Sequence, residues 1–284
     1  MVHELMDNES EGLVEINRQR SFFLGPWLMW QDIKKHHHLV SNLIMRDLRL
    51  KYRNSVLGYF WSLLEPLLLS GVYFVLFVII KGSPEPNYPL WVIVGVITWG
   101  YFSQSLNGSI TSLTQNAGLI KQVYFPREMF AITKVGANLV IATLGLFVAI
   151  PFMYYLDISP NEQLLMVPLG LILVSMLALG VGLLLACLNA VNRDIEHFFR
   201  FVTRAGFFLS PVMWTIEMVS ENALRYIMVN PMVVPITMIR NGIDGRSLGI
   251  DSMYVVYSIA FCVSSFLLGC MVFKRYEAGV VKKL

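Results

Sequence analysis

From Met166 to Leu188 the chain carries no charged side chain. Wound into a helix at 1.5 Å per residue, such a run covers about 30 Å, the thickness of a bilayer's hydrocarbon core. A surface helix of a soluble protein keeps one polar stripe; this run has none. Four further apolar stretches of similar length lie near 59–80, 90–112, 134–155 and 252–273. The composition agrees: 56% of the residues are hydrophobic and 14% charged, against roughly 25% charged in an average soluble domain. Mean hydropathy is +0.60. These values exclude a soluble globular domain and a disordered chain, and predict an all-α integral membrane protein. A net charge of +3 gives no footing for nucleic acid. Cys187, Cys262 and Cys270 all lie inside apolar runs and read as small buried hydrophobes, with no disulfide framework or CxxC metal site.

A sixth span, near 195–216, is weaker. Only Ala205 to Trp214 and a little beyond is uncharged, and Arg193, His197, Arg200 and Arg204 precede it at helical spacing on one face. Asn192 can cap this helix, and Asp194 and Glu196 suit its first turn. The pattern predicts one long helix that starts in the cytosol or at the interface. Six spans put both termini on one side. Lys81, Arg225, Arg240 and Arg246 then fall on the opposite side, and the other 18 of the 22 Lys and Arg on the side of the termini. Positive charge marks the cytoplasmic side, so both termini are expected in the cytosol, with outer loops at 81–89, 156–164 and 217–251. The expected organisation is a cytosolic extension over 1–38, a transmembrane domain over 39–276 and a cytosolic tail over 277–284. The extension lacks the basic and apolar regions of a secretory signal. Its run His36-His37-His38 cannot share one helix face, so it makes at best a loose metal site and otherwise a juxtamembrane loop.

Several segments are candidates for function. Residues 39–53 read as an interfacial amphipathic helix, with Val40, Leu43, Ile44 and Leu48 on the apolar side and Arg46, Arg49 and Arg53 facing lipid headgroups. It serves either as a collar at a cytoplasmic entrance or as a plain membrane anchor. Between spans two and three, Asn116 can cap a short helix over 117–123 that Pro126 stops. This is either a docking element for a soluble partner or an ordinary connection. Glu65, beside Pro66, lies roughly 9 Å into the first span at 1.5 Å per residue. A carboxylate at that depth either faces water, neutralises a buried arginine, or sits protonated or hydroxyl-bonded near Ser62 and Ser70. In the longest outer loop, Asn230-Pro231 separates two apolar pieces, 221–229 and 232–241, each too short to span and each sized for a re-entrant half-helix or a surface loop. Trp99, Tyr101 and Phe102, among Ser103, Gln104, Ser105 and Asn107, suit a wet wall for a neutral polar substrate or ordinary packing.

The sequence has no GxxxxGK[ST] loop, HExxH or GxSxG motif, and no Gly-Lys dipeptide. The chain is therefore expected to bind no nucleotide through such a loop and to house no enzyme active site.

Five strings, in this order, resemble the membrane subunits of type-2 ABC exporters for polysaccharides, of the Wzm/KpsM type that move O-antigen, capsule or teichoic acid. They are IMRDLRLKYRNSVLGYFWSLLEPLLLS over 44–70, KQVYFPREMFA over 121–131, LNAVNRDIEHFFR over 188–200, FLSPVMWT over 208–215 and VNPMV over 229–233. The resemblance covers about residues 40–276. It implies six spans, an N-terminal interfacial helix, a coupling helix and re-entrant gate helices between spans five and six. It also implies a homodimer paired with two copies of a cytosolic ATPase that carries the ATP and Mg²⁺. Residue by residue, it places Ala117, Gly118, Leu119, Ile120, Lys121 and Arg127 in the coupling helix, Arg193 and Asp194 at a second cytosolic contact, and Asn230 and Pro231 between the gate helices. The substrate it implies is a polysaccharide on an undecaprenyl lipid, exported across the inner membrane by a mechanical cycle. The alternatives are a type-2 ABC permease for a drug or lipid, and a membrane-embedded glycosyl- or acyltransferase, which would need paired acids or a histidine at one membrane face.

Overall fold

The computed structural model describes residues 22–51, 53–81, 85–122 and 126–281. Outside them lie most of the extension with Arg18 and Arg20, part of the first outer loop, Val123 to Phe125 of the 121–131 string, and Lys282 and Lys283 of the tail.

The described residues form helices and connecting turns, with no strand among them. Helix α1 (Gly25–Lys35) and helix α2 (His37–Lys51) precede the first long helix, α3 (Trp61–Lys81). Helix α4 (Tyr88–Ile110) leads through two short helices, α5 (Ser112–Gln115) and α6 (Ala117–Gln122), to α7 (Glu128–Leu146) and α8 (Ala149–Tyr155). Then come α9 (Met166–Asn189) and α10 (Asp194–Leu209). After α10 the chain makes two shorter helices, α11 (Glu221–Ile227) and α12 (Val233–Asp244), and closes with α13 (Ser252–Val281).

Among the described residues, four stretches are long and apolar enough to cross a membrane: Gly58–Leu76, Glu128–Tyr155, Glu162–Asn189 and Ser252–Glu277. Helix α4 has 23 residues, enough length to cross, but Ser103, Gln104, Ser105, Asn107 and Ser109 dilute its second half. Its place at the centre of the bundle compensates, because α3, α7, α9 and α12 surround it and bury most of its side chains. Helix α10 has 16 residues and charged groups in its first turn. The tightest helix pair is α9 with α13. A Cβ on Gly180 would come 2.5 Å from the backbone of Ser265 and Phe266, so only a hydrogen at that position lets the two helices meet.

Four boundaries differ from the sequence reading. The helix expected as one long piece over 195–216 stops at Leu209 and gives way to a turn. The third span begins at Glu128 rather than near 134, because Lys134 loses its cost inside the helix by an ion pair with Asp47 of α2 (2.7 Å). Residues 25–35, expected in a separate extension, form α1 and pack on α13, with Met29 buried and Asp32 bonded to Lys274 (2.7 Å). The last helix runs on to Val281, through the start of the expected tail. The side chains of His36 and His37 bond backbone carbonyls, of Asp32 and Lys34.

A second apolar cluster lies at the end of the bundle that carries α6. Met29 of α1, Ile120 of α6, Phe130 of α7, Leu183 of α9, and Cys270 and Phe273 of α13 meet there. Beside them the Lys274 ammonium, 2% exposed, pairs with Asp32, with Glu128 at the start of α7 and, at 3.9 Å, with Glu277.

Candidate functional site: a polar cavity with a pinned turn

A cavity of about 1050 Å³ lies between α2, α3, α4, α7 and α10. Its wall carries the amides of Gln104, Asn107, Gln115 and Asn138 and the hydroxyls of Ser103, Thr111 and Thr203. Rings from Tyr73, Trp99, Phe207 and Phe208 complete one side. Of the polar groups of α4 that lower its hydropathy, Ser103, Gln104 and Asn107 border this space, while Ser105 and Ser109 are buried away from it. The Trp99 indole N–H donates to Thr203 O (3.2 Å) and Asn107 Nδ2 to Thr203 Oγ1 (3.1 Å), which staples α4 to α10.

The charges of the wall are mostly held in pairs. Asp47 accepts from Lys134 (2.7 Å) and from Arg46 Nε and Nη2 (3.2 and 2.9 Å). Burial raises the pKa of its carboxyl, but those bonds and charges outweigh burial and hold it below the usual range. Glu196 pairs with Arg200 at 3.4 Å. Lys51 Nζ donates to Gln104 Oε1 (2.8 Å). Burial lowers the Lys51 pKa, against the opposing pull of Glu65.

The expected path residues divide between two spaces, Trp99 on the cavity and Glu65 and Tyr101 on a smaller one. Trp99 stands on the cavity wall. Tyr101 points the other way, with its hydroxyl 2.5 Å from Ser175 Oγ of α9, and Phe102 is buried against Trp99 (ring centroids 5.3 Å). On one face of α4 the side chains line the cavity, while on another they build the core, a division that a string of mixed polar and aromatic residues does not reveal. Glu65 is exposed and borders a smaller space shared with Lys51, Ser62, Tyr101 and Gln104. The two hydroxyls near it serve carbonyls instead: Ser62 donates to Tyr59 O and Ser70 to Pro66 O, both at 2.6 Å.

Beyond α10 the chain turns at 210–214, and two of the five strings meet there. Asn230 Nδ2 donates to Ser210 Oγ (2.8 Å), and Asn230 Oδ1 accepts from the Met232 N–H (3.0 Å). Pro231 O accepts from Ser258 Oγ of α13 (2.8 Å). The remaining anchors were not singled out by the sequence. Tyr88 donates to Met213 O (2.9 Å), and the buried Arg240 of α12 donates to Trp214 O (3.1 Å), Val212 O (3.2 Å) and Pro211 O. One turn on, Asp244 accepts from Trp91 Nε1 and Asn87 Nδ2 (both 2.8 Å) and pairs with Arg246 (2.7 Å). The only hint in the sequence is an arginine inside an apolar string, VVPITMIRNG.

At the opposite end, α6 seats Ile120 in the second apolar cluster and leaves Gly118, Leu119 and Lys121 exposed, with Ala117 and Arg127 half-buried. Asn116 does not cap α6 with its side chain. Its Nδ2 donates back to Ser112 O (2.8 Å), satisfying a carbonyl that the end of α5 leaves open. Asn192 Oδ1 accepts from the Asp194 N–H (2.9 Å) at the start of α10, where Arg193 and Asp194 are exposed. The buried Asn189 links three helix ends, donating to Ile110 O (3.3 Å) and accepting from the Glu196 N–H (3.1 Å).

Apolar helices around a polar cavity, with a pinned turn at one end and a half-seated short helix at the other, are the parts of a membrane transport subunit. A profile of ABC-2 type transporters matches residues 38–243, and the chain belongs to that family. It is similar to the O-antigen export system permease protein RfbA of Myxococcus xanthus, 28% identical over 72% of this chain and 79% of that one. It is also similar to the protein of the same name from Klebsiella pneumoniae (26% identity; 82% and 89% covered) and to the polysialic acid transport protein KpsM of Escherichia coli (23% identity; 78% and 89% covered).

Proposed function

We propose that this chain is the permease subunit of an ATP-driven exporter that carries a lipid-linked polysaccharide, an O-antigen or similar surface glycan, across the cytoplasmic membrane. The cavity carries the reading. Amides and hydroxyls beside aromatic rings hold sugars weakly at many points, as a path that must release each unit requires. A drug or lipid path would favour a narrower, apolar lining. The names of the relatives support the same substrate class.

In this reading α4 and α10 complete six spans with the four apolar stretches, both termini are cytosolic, and α11 and α12 form a re-entrant pair around Asn230 and Pro231. Two copies of the chain pair with two copies of a cytosolic ATPase, which holds the ATP and Mg²⁺. The exposed groups of α6 and of the turn at Arg193 and Asp194 receive its push. Ile120 passes the motion into the cluster of Met29, Phe130 and Phe273, while Asn189 carries it from the α10 start to the ends of α4 and α9. ATP drives the cycle only by binding one arrangement of the dimer better than the other.

The test is deletion of the chain in its native cell, scoring surface glycan against lipid-linked glycan held inside. Loss from the surface with accumulation in the cytosol is expected. Unchanged surface glycan, with no second transporter for it, refutes the polysaccharide reading and leaves a drug or lipid exporter.

A further inference from the structure

Arg240 is 3% exposed and forms no ion pair with any described carboxylate. A guanidinium has five N–H donors and normally takes a carboxylate or water. Here its hydrogen-bond partners among the described residues are three main-chain carbonyls of one turn, those of Pro211, Val212 and Trp214, and its Nε has none. These carbonyls follow the C-terminal end of α10, the negative end of the helix dipole. A buried cation stripped of such acceptors is strongly destabilised. The turn and Arg240 therefore stay together unless something replaces the bonds.

The turn is the direct continuation of α10, which supplies Thr203, Phe207 and Phe208 to the cavity wall. It also rests on α4. A Cβ on Gly95 would come 2.6 Å from Val212 O and 3.2 Å from Arg240 Nη2, so the seat exists only because residue 95 has no side chain. Tyr88 holds a fourth carbonyl from the start of α4.

We propose that Arg240 is the latch of the outer end of the cavity: a positioning residue that keeps the 210–214 turn seated on α4 and so closes the path to the outside at rest. This rests on reading the cavity as the export path. Opening then means lifting the turn off Gly95 and exchanging its carbonyls for water at the guanidinium.

The experiment places a reporter cysteine in the cavity wall, Ser103→Cys, in the complete transporter. The native cysteines Cys187, Cys262 and Cys270 are buried and stay silent. A membrane-impermeant thiosulfonate reagent is applied to right-side-out and to inside-out membrane vesicles. With the native latch, the reporter should react from the inside only. Arg240→Gln should raise the rate from the outside by at least about tenfold, given the strength of hydrogen bonds to a charged group. Gly95→Ala leaves Arg240 intact but denies the turn its seat, and should do the same; it carries the test if Arg240→Gln fails to accumulate. Reaction from the inside at the native rate, with no gain from the outside in either folded variant, overturns the latch alone. A reporter reactive from neither side in every protein overturns the cavity as a path and the latch with it.

Discussion

Replacing Lys274 with methionine should lower the melting temperature by about 10 °C. Methionine keeps most of the methylene stem, so packing changes little; the loss is electrostatic. The ammonium is 2% exposed and serves Glu128, which is fully buried, and Asp32, which keeps 21% of its side chain in solvent. Asp32 can turn to water and contributes little to the penalty. Glu128 cannot, and breaking a buried pair from one side costs about 3–5 kcal/mol. At about 2–4 °C per kcal/mol for a chain of this size, the drop lies between roughly 6 and 20 °C. Glu128→Gln is the matched control. Three carboxylates face one ammonium, so neutralising the most buried of them should shift melting by less than about 1 kcal/mol. The double variant should recover more than half of the loss. Fluorescence-detected size exclusion after graded heating of the solubilised protein gives all three values. The reasoning fails if Lys274→Met melts within about 2 °C of the native chain, or if Glu128→Gln brings no recovery.

Lys134→Met removes a partner of Asp47 and should cost about 1 kcal/mol, discounted because Lys134 is 30% exposed. The native pair lowers the Asp47 pKa, so its contribution is complete above the ordinary carboxylate range and fades only as pH falls through the lowered value; the melting difference should match at pH 7 and pH 5. Gly180→Leu forces α9 and α13 apart and should abolish the monodisperse peak, a loss beyond the about 1–3 kcal/mol of ordinary overpacking. Leu119→Asp, on the exposed side of α6, should leave melting within about 2 °C yet lose co-purification of the partner ATPase; retained ATPase would move the coupling surface elsewhere.

The long apolar runs were legible because lipid demands them, and α3, α7, α9 and α13 lie close to where those runs place them. The end groups were legible where one side chain has one local donor to accept from, as with Asn192. Asn116 shows the limit: two backbone groups were within its reach, and only the path of α5 decided between them. Lys134, Lys274 and Arg240 were read as loop charges, because a charge in sequence shows its cost but not the distant carboxylate or carbonyl that offsets it. Asp47 lies 87 residues from Lys134, and Pro211 lies 29 from Arg240. Trp99, Tyr101 and Phe102 were inseparable on paper, since successive helical positions point in different directions and only the neighbours say which direction is wet.

The polar character of α4 bears on how the protein is made. Its side chains are covered by α7, α9 and α12, all synthesised after it. When α4 leaves the ribosome, α2 and α3 are there and Lys51 can meet Gln104, but Asn107 still lacks Thr203 of α10. A segment of that hydropathy partitions weakly into lipid on its own. Biogenesis is then expected to be non-sequential: α4 waits at the insertion machinery until α7 and α9 arrive and enters the bilayer with them. Substitutions on α7 that weaken its grip on α4 should therefore appear first as mistargeted or degraded chains, before any mature transporter can fail.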